Sequence, residues 1–473
     1  METLQRIANR GSISTGYDID NSLKLERANS EKLARTPSSA SNSKTWTYSF
    51  WLKRTQLGIN SYHLEAKGSG DRFFILGFNE NDNLVIYDIY SDDYGKVLRM
   101  KFRDTAAWYH IVLAIDTTDG TAGNRNKFYV NGVLVTDYVT DYGDFPQNHD
   151  TQINKAVVHN IGYRTDINQY ASGYMAETCL IDGTSLAPDS FGEFDSDTGI
   201  WKPIDVSGLT FGTNGFYQDY KTGADLGADK VSGGNSNDYT ETNIAAADQA
   251  TDSPTNSFCI ANAIAIGTSN LFQFTEGGTV CKRITADQWD FFTTTMPVNK
   301  GKWYGEFKAG GGPVMVGIGS LSYFEGTVQS SHTGAGMATN SGVAYYGADG
   351  KRWVDGTEAA YGATFGTSDI ISIAMDLDND NVYFAKNGTW QNSGDPTSGA
   401  TGTGALSTDP VGDYFVMTMN MLYNPTTHFM NYGGYTTISI SSAASDANGY
   451  GTFSYAVPTG YYALCSRNLS EFG

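Results

Sequence analysis

Two Asn-Gly dipeptides constrain the fold of this chain more than any other feature. "NKFYVNGVLV" (Asn126 to Val135) and "NVYFAKNGTW" (Asn381 to Trp390) each place Asn-Gly between two strand-like runs, and the two turns lie 256 positions apart (387 − 131). Asn-Gly favours a type I′ turn because both central residues need a positive φ. The sequence therefore predicts the same β-hairpin in two separate parts of the chain.

The segments around the hairpins alternate with period two, which is typical of strands. "KTWTYSFWLKR" (Lys44 to Arg54) alternates strictly and predicts a half-buried strand, and "GKWYGEFKAG" (Gly301 to Gly310) has a similar pattern. Aliphatic residues share one face in the approach to each hairpin: Tyr109, Ile111, Leu113 and Ile115 in the first, and Ile371, Ile373, Met375 and Leu377 in the second. No long segment has a helical period. An all-β fold of two sandwich or jelly-roll domains follows.

The pattern of strands and loops predicts four segments. Residues 1–20 are polar with scattered apolar points, and form either a disordered tail or an arm that orders against a partner. Residues 21–190 form the first domain and residues 258–473 the second. Between them, residues 191–257 are rich in Gly, Asp, Asn, Ser and Thr, which indicates a loop-rich connector.

Composition narrows the class of protein. The net charge of −20 argues against binding a phosphate backbone, so nucleic acid is not an expected partner. The four cysteines lack CxxC spacing and are predicted to be buried free thiols. No secretory signal is visible and no apolar run is long enough to span a bilayer, so no membrane insertion is expected.

Catalytic and metal-binding patterns are weak. Glu193, Asp195 and Asp197 in "GEFDSD" would share a face if extended, as paired carboxylates of a glycosidase do, but their turn-rich surroundings favour a solvated acidic loop. No Ser/His/Asp arrangement is visible, and we predict that the chain is not an enzyme.

Asp116 and Asp119 are weak calcium candidates, "DLDNDN" (Asp376 to Asn381) is interpreted as a turn, and no other cofactor is expected.

Loop aromatics with neighbouring carboxylates are the better candidates for a site, because rigid sandwiches carry binding loops at their edges. The second domain offers Tyr345, Tyr346, Trp353, Asp355 and Tyr361, and the first offers Tyr138, Tyr142 and Asp144. The alternative is that these side chains pack the sandwich or a subunit interface.

Several stretches resemble known families. "SLKLERANSEKLARTP", "KTWTYSFWLKR", "WYHIVLAIDTT", "KFYVNGVLV" and "GYMAETCLIDGTSLAPDSFGEFD" resemble a LamG-like jelly roll of the concanavalin A-like lectin/glucanase fold. "GKWYGEFKAG", "YYGADGKRW" and "DIISIAMDLDNDNVYFAKNG" resemble a SPRY domain, and the linker and closing stretch are similar to those of tailed-bacteriophage virion proteins.

The resemblance implies a virion surface protein: a tail fibre, a head fibre or a decoration subunit. It would be made in the host cytoplasm, released by lysis and displayed on the particle as a homo-oligomer beside capsid or tail proteins, binding host-surface polysaccharide without catalysis. A purely structural decoration subunit is the alternative, and a glycan depolymerase ranks third. The arm of residues 1–20 would then dock on the particle through Leu4, Ile7, Ile13 and Tyr17.

Overall fold

The computed structural model describes residues 16–473 apart from 90–92, 232–235, 267–271, 285–286, 288, 322–341, 409–413 and 424. The described chain forms two compact units that divide between Thr255 and Asn256. We call residues 16–255 the first unit and residues 256–473 the second unit. Both are β-sandwiches, as the sequence predicts. No helix in these described ranges is long and apolar enough to cross a membrane.

The first unit contains twenty described strands joined by short loops and single-turn 3-10 helices. The helices are Arg27–Asn29, Ala122–Asn124, Pro188–Ser190 and Ala246–Asp248. The strands are β1 (Ser22–Leu25), β2 (Lys32–Arg35), β3 (Thr45–Lys53), β4 (Ser61–Lys67), β5 (Phe73–Phe78), β6 (Asn83–Ile89), β7 (Asp93–Lys101), β8 (Trp108–Asp116), β9 (Asn126–Val130), β10 (Val133–Val135), β11 (Tyr138–Asp141), β12 (Val158–Ile161), β13 (Tyr163–Arg164), β14 (Gln169–Tyr170), β15 (Gly173–Asp182), β16 (Gly192–Phe194), β17 (Trp201–Pro203), β18 (Phe216–Gln218), β19 (Thr240–Thr242) and β20 (Gln249–Ala250).

Two antiparallel sheets enclose the core of the first unit. Sheet I has the order β10-β9-β8-β3-β15-β1-β20, with β18 also paired to β15, and sheet II has the order β11-β7-β6-β5-β4-β12-β2-β19. The pairs β13-β14 and β16-β17 form small separate ribbons. Alternate residues of both sheets, among them Phe50, Phe74 and Leu113, meet in one buried cluster. The face shared by Ile111, Leu113 and Ile115 is thus confirmed as the core face.

Strand β3 is buried on both faces, so the prediction of a half-buried strand was wrong. The polar side chains of Thr47 and Ser49 are as buried as the apolar ones. The reason is a second apolar cluster on the outer face of sheet I, where Val112 and Ile181 pack against Phe191 and Phe211. Period-two alternation shows which residues share a face, and it does not show what covers that face.

Residues 191–255 belong to the first unit and do not act as a free connector. Three of their five strands join its sheets, since β18 pairs with β15, β19 with β2 and β20 with β1. The segment is loop-rich, as predicted, but it covers sheet I and closes both sheets. Its strands are only two or three residues long, which explains why the sequence pattern does not reveal them.

The second unit contains sixteen described strands. The helices are the 3-10 turns Glu276–Gly278, Gln391–Ser393 and Pro396–Thr401 and the C-terminal α1 (Ser466–Phe472). The strands are β21 (Ala261–Ile266), β22 (Phe272–Thr275), β23 (Val280–Arg283), β24 (Asp290–Thr294), β25 (Lys302–Lys308), β26 (Val314–Ser320), β27 (Gly342–Tyr346), β28 (Lys351–Val354), β29 (Thr357–Ala360), β30 (Ile370–Asp376), β31 (Asn381–Lys386), β32 (Thr389–Trp390), β33 (Leu406–Ser407), β34 (Phe415–Met421), β35 (Thr427–Asn431) and β36 (Tyr462–Ala463).

The second unit repeats the layout of the first. Sheet III has the order β21-β24-β34-β26-β27-β28-β29, and sheet IV has the order β22-β23-β35-β25-β30-β31-β32, with β33 and β36 added at β31 and β25. The run β25-β30-β31-β32 of sheet IV corresponds to β3-β8-β9-β10 of sheet I. The outer face of sheet IV is also covered, here by Phe453, Tyr461 and Cys465, which pack on Tyr304 and Tyr383.

Both predicted hairpins are present with the predicted turn. The φ angles are 48° and 78° at Asn131 and Gly132, and 47° and 80° at Asn387 and Gly388. All four positive values fit a type I′ turn.

The four cysteines are buried and free, as the sequence predicts.

Candidate functional site

Three aromatic side chains cluster on the outer face of sheet III. The rings of Trp289 and Tyr346 meet edge to face with centroids 5.7 Å apart. Trp353 completes the cluster, and all three pack on Met315 and Ala344 while remaining partly exposed. We call Trp289, Tyr346 and Trp353 the aromatic patch.

Strand register explains why the patch forms. Met315 lies opposite Tyr346, and Ala344 lies opposite Trp353, so these four residues point to the same side of the sheet. The small side chain of Ala344 leaves room for the indole ring across the ladder. The Nε1 of Trp353 is buried and has no hydrogen-bond partner among the described residues.

Charged groups lie beside the patch, in strands β28 and β29 and in the turns that flank β28. Lys351 Nζ lies 2.8 Å from Glu358 Oε1 and 3.5 Å from Asp349 Oδ2. Burial, and then the nearby Asp349 carboxylate, raise the pKa of the Tyr346 phenol, which therefore stays a neutral hydrogen-bond donor. Asp355 is exposed at the tip of the second turn, with a φ of 46°.

The structure separates the five second-unit residues that the sequence grouped together. Tyr346 and Trp353 lie in the patch and Asp355 lies near it, but Tyr345 and Tyr361 face the core. The Tyr345 ring packs against Phe365 and against Phe384 of sheet IV, and its exposed fraction is 0%. A side chain buried between two sheets cannot stack on a ligand, so Tyr345 and Tyr361 are not site residues. Trp289 was missed because it lies outside any strand and far away in the sequence.

Of the three first-unit candidates, Tyr138 and Asp144 contact Lys96, whereas the ring of Tyr142 packs against that of Tyr87, with centroids 5.7 Å apart. The Nζ of Lys96 lies 2.6 Å from Asp144 Oδ1 and 4.6 Å from the centroid of the Tyr138 ring. Tyr138 packs on the core, and its hydroxyl donates to the carbonyl of Val135. Tyr142 is 51% exposed, so it is the aromatic of this group that a partner can reach.

Tyr17 is held inside the first unit. Its hydroxyl donates to Glu177 Oε1 at 3.0 Å, and the hydroxyl of Tyr217 donates to the same oxygen at 2.8 Å. Burial raises the pKa of the Glu177 carboxyl from 4.5 to about 7. The other predicted docking residues, Leu4, Ile7 and Ile13, lie outside the described residues.

The acidic cluster around β16 makes turn and ion-pair contacts. Lys202 Nζ lies 3.2 Å from Glu193 Oε1 and 3.5 Å from Asp195 Oδ2. The Asp195 carboxylate also accepts hydrogen bonds from the backbone and hydroxyl of Thr198 and from the backbone of Asp197, which hold its pKa below the usual value. One ammonium group therefore holds two of the three carboxylates that the sequence offered as catalytic candidates.

A Ser-His pair that the sequence did not reveal lies beneath this cluster. Ser49 Oγ lies 2.8 Å from His110 Nε2, and Trp201 Nε1 lies 2.9 Å from His110 Nδ1. An indole N–H can only donate, so Nδ1 is the acceptor and the proton of the neutral ring is on Nε2. Burial lowers the pKa of His110 to about 3, which keeps the ring neutral. His110 thus donates to Ser49 and cannot act as its general base.

The weak calcium candidates serve as turn caps. Asp116 Oδ1 accepts from the backbone and hydroxyl of Thr118, and Asp119 Oδ1 accepts from the backbone of Thr121 at 2.7 Å. Asp376 contacts Lys302 and Asn379 in the "DLDNDN" segment. Within the described residues, no group of three or more His, Cys, Asp or Glu side chains could hold a metal ion.

Two family models match the chain. The model described as the concanavalin A-like lectin/glucanases superfamily matches residues 28–185, and that of the SPRY domain matches residues 302–407. No curated protein gives a significant match.

The chain is also similar to parts of several solved structures. The SPRY domain of human HERC1 is 12% identical over 36% of this chain and 96% of its own, with a TM-score of 0.28. A human SPRY domain is 13% identical over 34% of this chain and 94% of its own, with a TM-score of 0.26. The heptameric SAP-like pentraxin from Limulus polyphemus is 16% identical over 36% and 80%, with a TM-score of 0.27. Likeness at this level carries no information about ligands. The family matches and the two β-sandwiches together identify a LamG-like concanavalin A-like domain followed by a SPRY domain.

Proposed function

We propose that this chain is a surface protein of a bacteriophage particle that binds glycans of the host surface through the aromatic patch of its SPRY domain, without cleaving them. The virion setting rests on the sequence resemblance to phage proteins of this domain order. The binding role rests on the patch, where Trp289, Tyr346 and Trp353 present partly exposed rings on a rigid sheet.

The chemistry of the patch fits a sugar. Aromatic rings combine a large apolar face with polar tips, and a few placed polar groups around such a surface set orientation and specificity. Here the neutral Tyr346 phenol and the exposed Asp355 offer a donor and an acceptor to hydroxyl groups. Because the patch is built on paired strands, it needs no rearrangement to bind, which lowers the entropic cost of association.

A glycan array probed with the full chain tests the proposal. We expect binding that Trp353→Ala or Tyr346→Ala reduces at least tenfold. Tyr414→Ala is the matched control, because Tyr414 is also an exposed tyrosine and directly precedes β34 of sheet III. It lies beside Leu321 at the far end of β26, about 20 Å from Met315 at a rise of about 3.3 Å per residue. Binding that is absent, or equally sensitive to all three variants, would remove the proposal.

A structural decoration subunit is the second candidate function. Exposed apolar residues along one edge of the first unit, including Val133 and Val139, favour it because such surfaces are commonly buried against a partner. Under this alternative the chain binds no glycan, and particles lacking it lose resistance to heat or low salt. Electron microscopy of labelled particles would show copies spread over the capsid instead of projecting from the tail.

The depolymerase hypothesis has its own test. Incubation with host polysaccharide should release no reducing ends if the chain only binds. Release that disappears in Glu193→Gln would instead establish hydrolysis at the acidic cluster and overturn the binding-only proposal.

A further inference from the structure

Both sheets of the first unit end on neighbouring strands at the same side of the sandwich. β10 is the last strand of sheet I and β11 is the last strand of sheet II, and only residues 136 and 137 separate them. Among the described strands, β10 pairs only with β9, and β11 pairs only with β7. We call β10, β11 and the adjoining residues Arg99, Met100 and Tyr142 the open edge. An open edge is a site that proteins usually protect or pair.

Exposed apolar residues concentrate at the open edge. The described chain has eleven exposed large hydrophobic side chains, and five of them lie here: Met100, Val133, Leu134, Val139 and Tyr142. Val133 is 59% exposed and Val139 is 53% exposed. Single exposed apolar residues are ordinary, but a group at one edge marks an interaction surface.

The charge of this edge points to another copy of the chain as the partner. Residues 95–101 and 126–144 hold four basic residues (Lys96, Arg99, Lys101, Lys127) and three acidic ones (Asp137, Asp141, Asp144), a net charge of +1, whereas the whole chain carries −20. Two copies therefore carry like net charges overall but meet with little net charge repulsion at this edge.

The edge charges can also complement themselves. Arg99 Nε lies 2.9 Å from Asp137 Oδ1, and both side chains are mostly exposed, at 60% and 71%. Around a two-fold axis, a residue that meets a second residue of the other copy is met in return. Arg99 of one copy can then face Asp137 or Asp141 of the other, twice over, around the apolar residues.

We propose that the open edge is the interface through which two copies of this chain associate. We expect side chains to make the contact between the two copies. The pairing of β11 with β7 shifts register between Tyr138 and Thr140, and a bulge at Val139 interrupts main-chain pairing there. Stable interfaces bury about 800 Å² per partner. The five apolar residues form the centre, and the Arg99 and Asp137 region forms the polar rim. This inference does not depend on glycan binding by the other unit.

Analytical ultracentrifugation of the full chain tests the interface. We expect concentration-dependent association toward twice the 51.2 kDa mass of one chain. Val139→Lys and Leu134→Lys should each weaken it at least tenfold in Kd. Both positions are exposed, so the folded monomer should keep the wild-type melting temperature and circular dichroism.

Ile167→Lys is the matched control. Ile167 is an exposed aliphatic residue of the same unit, 43% exposed, in the β13-β14 turn. This ribbon adjoins β4, four strand spacings from β11, or about 19 Å at about 4.8 Å per spacing. The variant should associate like the wild type. A monomer at all concentrations, or association that the edge variants leave unchanged, would overturn the proposal.

Discussion

Asn131 and His110 exchange two hydrogen bonds: the backbone N–H of His110 donates to Asn131 Oδ1 at 2.8 Å, and the backbone N–H of Asn131 donates to the carbonyl of His110 at 2.8 Å. Asn387 makes the same exchange with Ile370, at 2.9 Å and 2.8 Å. In each unit the hairpin asparagine thus fixes the turn to the start of the preceding long strand. The likeness between the units extends from the dipeptide to its hydrogen bonds.

The glycines of both hairpins are covered by aromatic rings, which leads to the first prediction. A Cβ at Gly132 would lie 2.3 Å from the Trp201 ring, and one at Gly388 would lie 2.7 Å from the Tyr455 ring. Gly132→Ala and Gly388→Ala should each destabilise their own unit by about 2 kcal/mol or more, through the clash and the positive φ together. Urea unfolding measures this.

Gly120→Ala is the control for these variants. Gly120 lies in the loop before the first hairpin, and nothing approaches its Cβ position within 4 Å. It should change the free energy of unfolding by less than about 0.5 kcal/mol. Equal effects at Gly120 and Gly132 would show that the aromatic cover does not constrain the turn.

The role of residues 191–255 leads to the second prediction. A fragment of residues 1–255 should fold, with a cooperative unfolding transition and near-ultraviolet circular dichroism. A fragment of residues 1–190 should not, because it exposes Val112, Cys179 and Ile181 on sheet I and loses β18, β19 and β20. It should bind a hydrophobic dye and aggregate. A well-folded fragment 1–190 would show that the segment is a connector after all.

These features show what the sequence can and cannot predict. The Asn-Gly hairpins and the core face of β8 follow from local chemistry and period-two alternation, so they were predicted correctly. The apolar cluster that covers the outer face of sheet I was not predicted, because its contacts join residues that are far apart in the sequence, such as Ile181 and Phe211. Tyr345 and Tyr346 are adjacent and of one type, so only the register of β27 against β26 assigns one to the core and the other to the surface.

The adjacent tyrosines Tyr345 and Tyr346 lead to the third prediction. Tyr345→Ala should lower the free energy of unfolding of the second unit by about 3–5 kcal/mol, because it empties space between Phe365 and Phe384 and removes the hydroxyl that donates to the carbonyl of Ala363. Tyr346→Ala should cost less than about 1 kcal/mol. Thermal and urea unfolding compare the two, and each serves as the other's control. A larger loss at Tyr346 would place the patch in the core.

The fourth prediction concerns pH and the buried Glu177. Glu177 is 4% exposed, and burial raises the pKa of its carboxyl from 4.5 to about 7, although hydrogen bonds from Tyr217 and Tyr17 act in the opposite direction. The folded state therefore binds this proton more tightly than the unfolded state. The contribution of this proton to the free energy of unfolding is present in full below about pH 4.5 and is lost as the pH rises to about 7. At about 1.4 kcal/mol per pKa unit, this contribution is up to about 3 kcal/mol.

Glu177→Gln isolates this contribution. The glutamine keeps a side-chain oxygen for the two tyrosine hydroxyls but does not ionise. Burial also raises the pKa of Glu31 to about 7, so the wild type and the variant share that dependence and only their difference reports on Glu177. Urea unfolding of both proteins between pH 4 and pH 8 should show the variant gaining stability relative to the wild type as the pH rises. Parallel curves would mean that Glu177 titrates alike in the folded and unfolded chains.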